Sequence, residues 1–341
     1  MQNRRGEVDE AQQRADPDNT QRAAVVQRGA GMTVEYTKGL HELGDGLWAY
    51  LQPRGQWGYS NAGLVAGDGD SLLVDTLFDL KLTREMLEQM KPITETRPIG
   101  SLVNTHANGD HCFGNELVPD RAKIYATIAC AEEMSEVPPS RLEGLKENVD
   151  FAGWAFGDFD FTDIGGRDPD ETFDSELTLT IGGREVIVRD LGPAHTKSDS
   201  VVLVPSARAV FTGDLVFNGG TPISWAGPIS NWVKACETIA GLDVDWIVPG
   251  HGPVATAQDV LDVKRYLEHI VGEARQRQEG GMDALEAAFD IDLGPFADLP
   301  DSERIVVTVQ TIYRDFDPSH PTADPVLLWE KMGEYHRQRS R

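Results

Sequence analysis

The sequence predicts an α/β sandwich, because two halves of the chain each run through several short strands and then a helix. In the first half, apolar segments bounded by glycine and aspartate indicate strands, and a change to a helical period follows them. The second half repeats this order. Since strands and helices must each bury an apolar face, helices packed on sheets are the expected architecture.

The strands of the first half are predicted at five apolar segments that end in polar or turn-forming residues. These are residues 46–52, 61–67, 71–77, 100–106 and 123–127. Between the third and the fourth, Asp79 is suited to cap a helix that Pro92 ends. The apolar face of this helix is formed by Leu82, Met86, Leu87 and Met90. A helical stretch is also expected after the fifth strand, to about Val149.

The strands of the second half are predicted at residues 176–183, 184–192, 200–214 and 246–252. Between the last two, Ser230 is the expected N-cap of a helix. Residues 259–341 form a C-terminal helical extension, with one helix stopping near Gly280, a second through Ile305 and Phe316, and a third opening at Asp324. We expect this extension to pack on the core, shape a pocket or form a homodimer contact.

Two further segments have a distinct composition. Residues 1–31 are charged and poor in large apolar groups, so we expect a disordered arm. Residues 150–175 alternate aromatic side chains with glycine and aspartate. Such a segment is either a lid or binding loop, or a loop that its own aromatic side chains hold in place, and both interpretations stay open.

Composition excludes several classes of function. The 341 residues include 56 acidic and 31 basic ones, which give a net charge of −25. This charge disfavours binding to nucleic acid or to an anionic membrane surface. The three cysteines form no CxxC pair, and no apolar run reaches the ~18 residues of a membrane helix. We therefore expect a soluble cytoplasmic protein whose partner is a small-molecule substrate.

Four of the eight histidines lie in short segments that follow predicted strands and contain a glycine or proline. The segments are Thr-His-Ala-Asn-Gly-Asp-His at 105–111, Gly-Pro-Ala-His-Thr at 192–196, and Pro-Gly-His-Gly at 249–252, with Phe-Thr-Gly-Asp at 211–214 between the last two. Imidazole and carboxylate bind borderline cations such as zinc, and strand ends at a sheet edge are where such sites are assembled. The joint pattern predicts a metal site, with Asp214 as the candidate to bridge two cations.

At these residues the sequence resembles the metallo-β-lactamase fold superfamily, whose signature is HxHxDH, then a single histidine, a bridging aspartate and a final histidine. The resemblance covers residues 32–258 and implies an αββα sandwich with a metal cleft along one edge of its two sheets. Asp75 matches the structural aspartate of that family. The ligands that the resemblance implies are His106 and His195 for a first metal, Asp110, His111 and His251 for a second, and Asp214 as the bridge.

Asn108 departs from the signature, because it stands where the second histidine is expected. An amide oxygen is a neutral, weaker donor than imidazole and suits harder cations. The first site is therefore expected to bind weakly, to use Asn108 through its oxygen or a water, or to stay empty. We expect one or two zinc ions per chain, with manganese and iron as alternatives.

The variant THANGDHCFGN at residues 105–115 is also similar to that of the metallo-β-lactamase-fold cyclases and thioesterases of aromatic polyketide biosynthesis. This similarity implies a flat substrate that is apolar or aromatic. Candidate contacts for it are Trp154 and Phe156 in the aromatic segment and Trp225 after the bridging aspartate. Ordinary core and loop packing is the alternative for these side chains.

The predicted reaction is hydrolysis, in which a metal-bound hydroxide attacks an ester, thioester or lactam carbonyl and Asp110 orients or deprotonates the water. In a cyclase the same site would promote intramolecular aldol closure. Two other interpretations are an iron-dependent redox member of the superfamily and a non-enzymatic binding module on a degenerate site. Diiron members carry glutamate at the position of Asn108, and retention of the six other ligands argues against degeneration.

Overall fold

The computed structural model describes residues 26–28, 32–53 and 57–339. Its strands are β1 Val26–Arg28, β2 Met32–Val34, β3 Gly39–Gly44, β4 Leu47–Leu51, β5 Ala62–Ala66, β6 Ser71–Val74, β7 Ile99–Val103, β8 Lys123–Thr127, β9 Glu171–Phe173, β10 Glu176–Ile181, β11 Arg184–Asp190, β12 Ser200–Val204, β13 Ala209–Phe211 and β14 Trp246–Val248. Strand β1 lies within the arm predicted over residues 1–31, and the rest of that arm lies outside the described residues.

The helices alternate with these strands in the first half and dominate the end of the chain. They are α1 Leu80–Thr94, α2 Gly109–Cys112, α3 Ile128–Glu136, α4 Pro139–Asn148, α5 Asp150–Ala155, α6 Ile229–Ala240, α7 Ala257–Glu279, α8 Ala284–Asp290, α9 Ile305–Phe316 and α10 Pro325–Arg339. None of the helices in the described part of the chain combines the length and the apolar composition needed to span a bilayer.

Two sheets form the centre of the molecule. Strands β3 to β9 make one sheet in chain order, antiparallel as far as β6 and parallel from β6 to β9. Strands β10 to β14 make the second, antiparallel as far as β13, with β14 parallel to β13. Each half thus closes with parallel strands that a helical crossover joins. The α/β sandwich predicted from the sequence is confirmed.

Alternate strand residues face two different cores, as the two-residue period of a strand requires. On β6, Leu72 and Val74 point into the core between the two sheets, whereas Leu73 belongs to the core beneath the helices. At Gly63 the ring of Phe211 from the opposite sheet comes so close that any Cβ would collide with it. The two sheets therefore pack face to face, with helices outside them.

Of three helix ends predicted from the sequence, the start of α1 is confirmed, and the end of α1 and the start of α6 are not. The Asp79 carboxylate accepts the Leu82 N–H at 2.7 Å, as predicted, but α1 runs past Pro92 to Thr94, so the prediction that Pro92 ends it was wrong. A proline in the last turn removes a bond only near the end of the helix. Ser230 lies inside α6 and was wrongly predicted as its cap.

The aromatic segment 150–175 is not a continuous loop, because it contains α5 and β9. Four of its phenylalanines are at most 5% exposed and pack edge to face against one another or against neighbouring rings: Phe151, Phe156, Phe159 and Phe161. The segment is therefore held in place by its own aromatic side chains. This is the second of the two interpretations left open above.

The C-terminal extension packs on helices of the sandwich through α7, α9 and α10, of which α9 contacts α6. Helix α7 begins with a capping box at Thr256 and lies against α6, and α10 lies against α5. Helix α9 lies between them, against α7, α8 and α10. The extension thereby reaches the strand ends that carry the histidine segments.

Candidate metal centre

The candidate site forms where four strands end. Val74 of β6 pairs with Val103 of β7, and Phe211 of β13 pairs with Val248 of β14, so both pairs of parallel strands end at matched positions. Backbone hydrogen bonds join the two sheets there, since Ser200 of β12 donates to the Thr105 carbonyl after β7 at 2.8 Å, and Asn61 before β5 donates to the Gly250 carbonyl after β14 at 2.7 Å. The polar residues that follow these strands are thereby brought into one buried cluster: Asp75, His106, Asp110, His111, Asp214 and His251, with His195 from the turn before β12.

Asp214 lies at the centre of the cluster, within reach of four imidazoles. Its Oδ2 atom lies 3.8 Å from His106 Nε2, 3.4 Å from His195 Nε2 and 3.3 Å from His251 Nε2. Its Oδ1 atom lies 3.1 Å from His111 Nε2. Asp110 reaches the same group, because its Oδ2 lies 3.3 Å from His251 Nε2. A carboxylate surrounded in this way is suited to contact more than one cation.

Three imidazoles are held from behind through their Nδ1 atoms. The acceptors are the Asp75 carboxylate for His111 at 2.9 Å, the Ile223 carbonyl for His195 at 2.6 Å and the Tyr59 carbonyl for His251 at 3.1 Å. Carboxylate and carbonyl oxygens only accept hydrogen bonds, so each Nδ1 carries the hydrogen. The Nε2 atom of each ring therefore faces Asp214, where it can bind a cation once it carries no hydrogen.

His106 is oriented through Thr105. The Thr105 hydroxyl donates its single hydrogen to Asp75 at 2.7 Å, so it accepts from His106 Nδ1 at 3.0 Å. The Thr105 N–H also donates to Asp75, at 2.7 Å. Asp75 thus orients two imidazoles, one directly and one through the threonine, which is the role that an aspartate behind metal-binding histidines plays.

The donor set fits a metal ion. Two groups of three residues could each hold a metal ion, because within each group the ligand atoms lie within 4.8 Å of one another. The first group is His106, His111 and Asp214, and the second is Asp110, His111 and His251. Among the described residues, the Nε2 atoms of His106 and His111 and Oδ1 of Asp214 are buried without a hydrogen-bond partner. Such atoms cost free energy unless something binds them, and imidazole nitrogens and carboxylate oxygens are the ligands of zinc and related cations. The structure places His111 in both sets, whereas the family signature assigns it to the second metal alone.

Charge within the cluster is strongly coupled. Burial would raise the pKa of Asp214, but His251, His111 and His106 hold it well below its usual range. Burial would lower the pKa of His251, yet Asp214 and Asp110 raise it to about 9. For His106 burial dominates and holds the pKa well below 6.5. Carboxylates so deeply buried require positive charge beside them, which a bound cation would supply in place of protons.

Asn108 faces the ligand atom of His195. Its Nδ2 lies 3.2 Å from His195 Nε2, so the amide lies beside one of the candidate ligand atoms. Gly250 lies next to Asp214, and glycine is required there because a Cβ would collide with Asp214 Oδ1. The glycine in the Pro-Gly-His segment therefore admits the carboxylate to the centre.

The turn that carries His195 is closed by Asp199. The carboxylate accepts the N–H groups of Ala194 and Thr196 and the Thr196 hydroxyl, at 2.9–3.1 Å. Cys112 is buried, and its pKa is raised well above the usual value by burial and by Asp110, so it is unsuited to act as a nucleophile. These residues support the centre without entering it.

The three predicted substrate contacts have different surroundings. Phe156 is 4% exposed and packs in the core on Trp329 of α10, at a ring distance of 5.0 Å, so ordinary packing accounts for it. Trp225 is partly exposed and lies 6.5 Å from the Trp329 ring. The backbone N–H of Trp225 donates to the His195 carbonyl at 2.8 Å. Trp154 is 52% exposed and stacks on Phe151, so the structure places it on the outer surface rather than beside the imidazoles.

Sequence reasoning missed three side chains near the centre. Arg304 is 2% exposed and lies 4.6 Å from the centre of the Trp57 ring and 5.5 Å from that of Phe217, which itself stacks on His251. The other two are Phe217 and Trp329, and the Trp329 ring lies 5.0 Å from that of Trp57. Arg304 and Trp329 come from the extension, and no spacing in the sequence signals that the extension returns to the strand ends.

Comparison with known proteins identifies the family. The model of the metallo-beta-lactamase superfamily matches residues 55–251, more than half of the chain. The 2,4-dinitroanisole O-demethylase subunit alpha of Nocardioides sp. (strain JS1661) is 24% identical over 199 residues, which are 55% of this chain and 51% of that protein. The metallo-beta-lactamase type 2 of Bacillus sp. (strain 170) is 24% identical over 236 residues, 64% of this chain and 77% of that one.

Solved structures show the same fold. The sec-alkylsulfatase Pisa1 from Pseudomonas sp. superposes with a TM-score of 0.63 at 17% identity, over 84% of this chain and 52% of that chain. A metallo-beta-lactamase from Pontibacter korlensis superposes with a TM-score of 0.52 at 20% identity, over 68% of this chain and 99% of that one. The chain thus spans about half the length of the demethylase subunit and of the alkylsulfatase.

Proposed function

The chain belongs to the metallo-beta-lactamase superfamily, and we propose that it is a metal-dependent hydrolase of a small-molecule substrate. The observation that supports this best is the set of four imidazoles around Asp214, each turned toward it by a hydrogen bond at Nδ1. A ligand set already oriented in this way lowers the cost of binding a cation. Zinc is the cation we propose first, with manganese and iron as the alternatives.

The chain's own residues divide the chemistry around the bound cation. When bound, a divalent cation supplies an acidified water and polarises the bond under attack. The four imidazoles, Asp110 and Asp214 would hold it, and Asn108 faces His195 Nε2. Asp110, the most exposed ligand at 9%, has its pKa lowered against the effect of burial by His111 and His251. It is therefore ionised at neutral pH and able to take a proton from the attacking water.

The proposed substrate carries an ester, thioester or lactam carbonyl on an apolar or aromatic body. The ring of Trp225, a partly exposed residue whose backbone N–H is bonded to the His195 carbonyl, supports the second part of this proposal. The net charge of −25 supports a small molecule over nucleic acid or a membrane surface. Three free, buried cysteines support a cytoplasmic location.

The test compares metal-free and metal-loaded protein. Protein stripped with a chelator is reloaded with Zn²⁺, Mn²⁺ or Fe²⁺ and assayed on an aryl ester, an aryl thioester, a chromogenic lactam, a secondary alkyl sulfate and an aryl methyl ether. We expect hydrolysis of at least one bond type in the loaded protein alone. Asp110→Asn should lower kcat by about 10²-fold or more, because the proton acceptor is lost.

A matched control separates the chemistry from the fold. Asp79→Asn makes the same change at a buried aspartate that caps α1, and asparagine caps helices equally well, so its activity should equal wild type. Equal turnover with and without metal would contradict the proposal. Metal binding without cleavage of any bond in the panel would favour the binding module, and oxygen consumption by the iron form would favour the redox interpretation.

A further inference from the structure

Residues 221–228 form a loop, here called the supporting loop, that holds His195 in place. Its Ile223 carbonyl accepts the imidazole Nδ1–H at 2.6 Å. The N–H groups of Trp225 and Ala226 donate to the His195 carbonyl at 2.8 and 3.3 Å. Since the loop contains neither helix nor strand, its shape depends on what holds it from the other side.

Helix α9 of the extension holds that other side. The Thr308 hydroxyl accepts the Ser224 N–H at 3.2 Å, and the Thr311 hydroxyl donates to the Ser224 carbonyl at 2.8 Å. Both threonines are at most 1% exposed. Arg314 adds a third bond, from Nη2 to the Trp225 carbonyl at 3.1 Å. Ser224, next to the carbonyl that orients His195, is thus bound at both of its backbone groups.

These threonines belong to a polar stripe along a largely apolar helix. The stripe consists of Arg304, just before α9, and of Thr308, Thr311 and Asp315 on the helix, at spacings of three or four residues. Its two ends also bind the region of the loop, through the Thr221 carbonyl at 3.0 Å and the Ile229 N–H at 2.8 Å. Buried hydroxyls in an apolar helix cost free energy unless they are hydrogen-bonded, so the stripe is matched to the loop.

We propose that α9 positions His195 for metal binding, with Thr308 and Thr311 as positioning residues that act through Ser224 and the adjoining Ile223 carbonyl. The inference rests on the proposed metal centre. Helix α9 lies beyond residues 55–251, the range that matches the family model, so this support comes from the C-terminal extension. The extension is then a part of the metal centre.

The experiment measures Zn²⁺ affinity, by competition with a chromogenic chelator, in Thr308→Val/Thr311→Val. Valine keeps the shape and removes both hydroxyls. Loss of partners that orient a ligand typically weakens metal binding 10- to 100-fold, so we expect a loss of about tenfold one step further out. Thr308→Ser/Thr311→Ser should restore wild-type affinity. Thr238→Val, which loses a hydroxyl bond to the Lys234 carbonyl on the exposed side of α6, is the matched control and should bind normally.

A second readout separates positioning from general stability. In metal-free wild type the ring ¹⁵N spectrum should show His195 with its hydrogen on Nδ1, and in the double valine variant that signal should shift or divide between tautomers. Unchanged Zn²⁺ affinity and an unchanged His195 spectrum, with a lower Tm alone, would overturn the inference. If the double variant fails to fold, Thr311→Val alone should weaken Zn²⁺ binding about threefold.

The outcome for wild type keeps the two proposals distinguishable. Wild type that binds no Zn²⁺ defeats the proposed function itself. Wild type that binds Zn²⁺, together with a double valine variant that binds it equally well, defeats only the role of α9.

Discussion

The substitution Asp75→Asn tests how the imidazoles are held. Asp75 is buried at the end of β6, and its Oδ2 accepts from His111 Nδ1 at 2.9 Å and from the Thr105 hydroxyl at 2.7 Å. An asparagine retains one acceptor oxygen, for the Thr105 N–H, and presents an NH₂ donor in place of Oδ2. The new NH₂ group then faces two other donors, His111 Nδ1–H and the Thr105 hydroxyl.

His111 relieves this conflict by moving its hydrogen from Nδ1 to Nε2, where the hydrogen blocks the lone pair that faces Asp214. Loss of a partner that fixes the tautomer of a ligating histidine costs 10- to 100-fold in metal affinity, about 1.4 to 2.7 kcal/mol. We therefore expect the Zn²⁺ dissociation constant, measured by chelator competition, to rise by one to two orders of magnitude.

Asp79→Asn is the control, because it makes the same change at a buried aspartate whose oxygen caps a helix and contacts none of the histidines among its described partners. It should bind Zn²⁺ as wild type does. The reasoning is refuted if Asp75→Asn also binds Zn²⁺ with wild-type affinity, or if the two variants lose affinity equally.

Asn108→His replaces an amide by an imidazole, so Zn²⁺ binding should tighten about tenfold, and an unchanged titration would show that this side chain does not contact metal. Arg304→Met leaves the Asp301 carboxylate buried without its 3.3 Å partner and should lower the free energy of unfolding in urea by about 3 kcal/mol. The hydrogen bond between His336 and Glu303 raises the pKa of the imidazole and, against burial, lowers that of the carboxyl. The stabilisation from this hydrogen bond should be complete between pH 4.5 and 6.5, the ordinary pKa values of glutamate and histidine, and should decline below and above that range. His336→Gln should remove this contribution from the dependence of Tm on pH.

The fold could be predicted where the signals are local. Alternation and turn residues located most of the strands, and the Asp79 cap located α1, because these features act within a few residues. Strands β3 and β9 were not predicted, and the single strand predicted at residues 200–214 is divided into β12 and β13. The error at Ser230 has a different origin. The first N–H of α6, at Ile229, is bound by Asp315 of α9, so the start of the helix is set by a residue distant in sequence.

That the residues of the candidate site lie together could be predicted, because each follows a strand or closes a short turn, and the sheets bring those ends together. Their orientation could not be predicted, since His195 and His251 are held by the carbonyls of Ile223 and Tyr59. A backbone carbonyl leaves no mark in the sequence. The contact of Trp329 with Phe156 likewise depends on how the extension packs.

The central claim is that the cluster around Asp214 binds metal. The most direct measurement is elemental analysis by plasma mass spectrometry of wild type and Asp214→Ala, both purified without added metal or a metal-affinity tag. We expect one or two equivalents of zinc, or of manganese or iron, in wild type, and loss of most of it in the variant. Wild type that holds no metal even after zinc is offered, or a variant that keeps the full content, would contradict the claim.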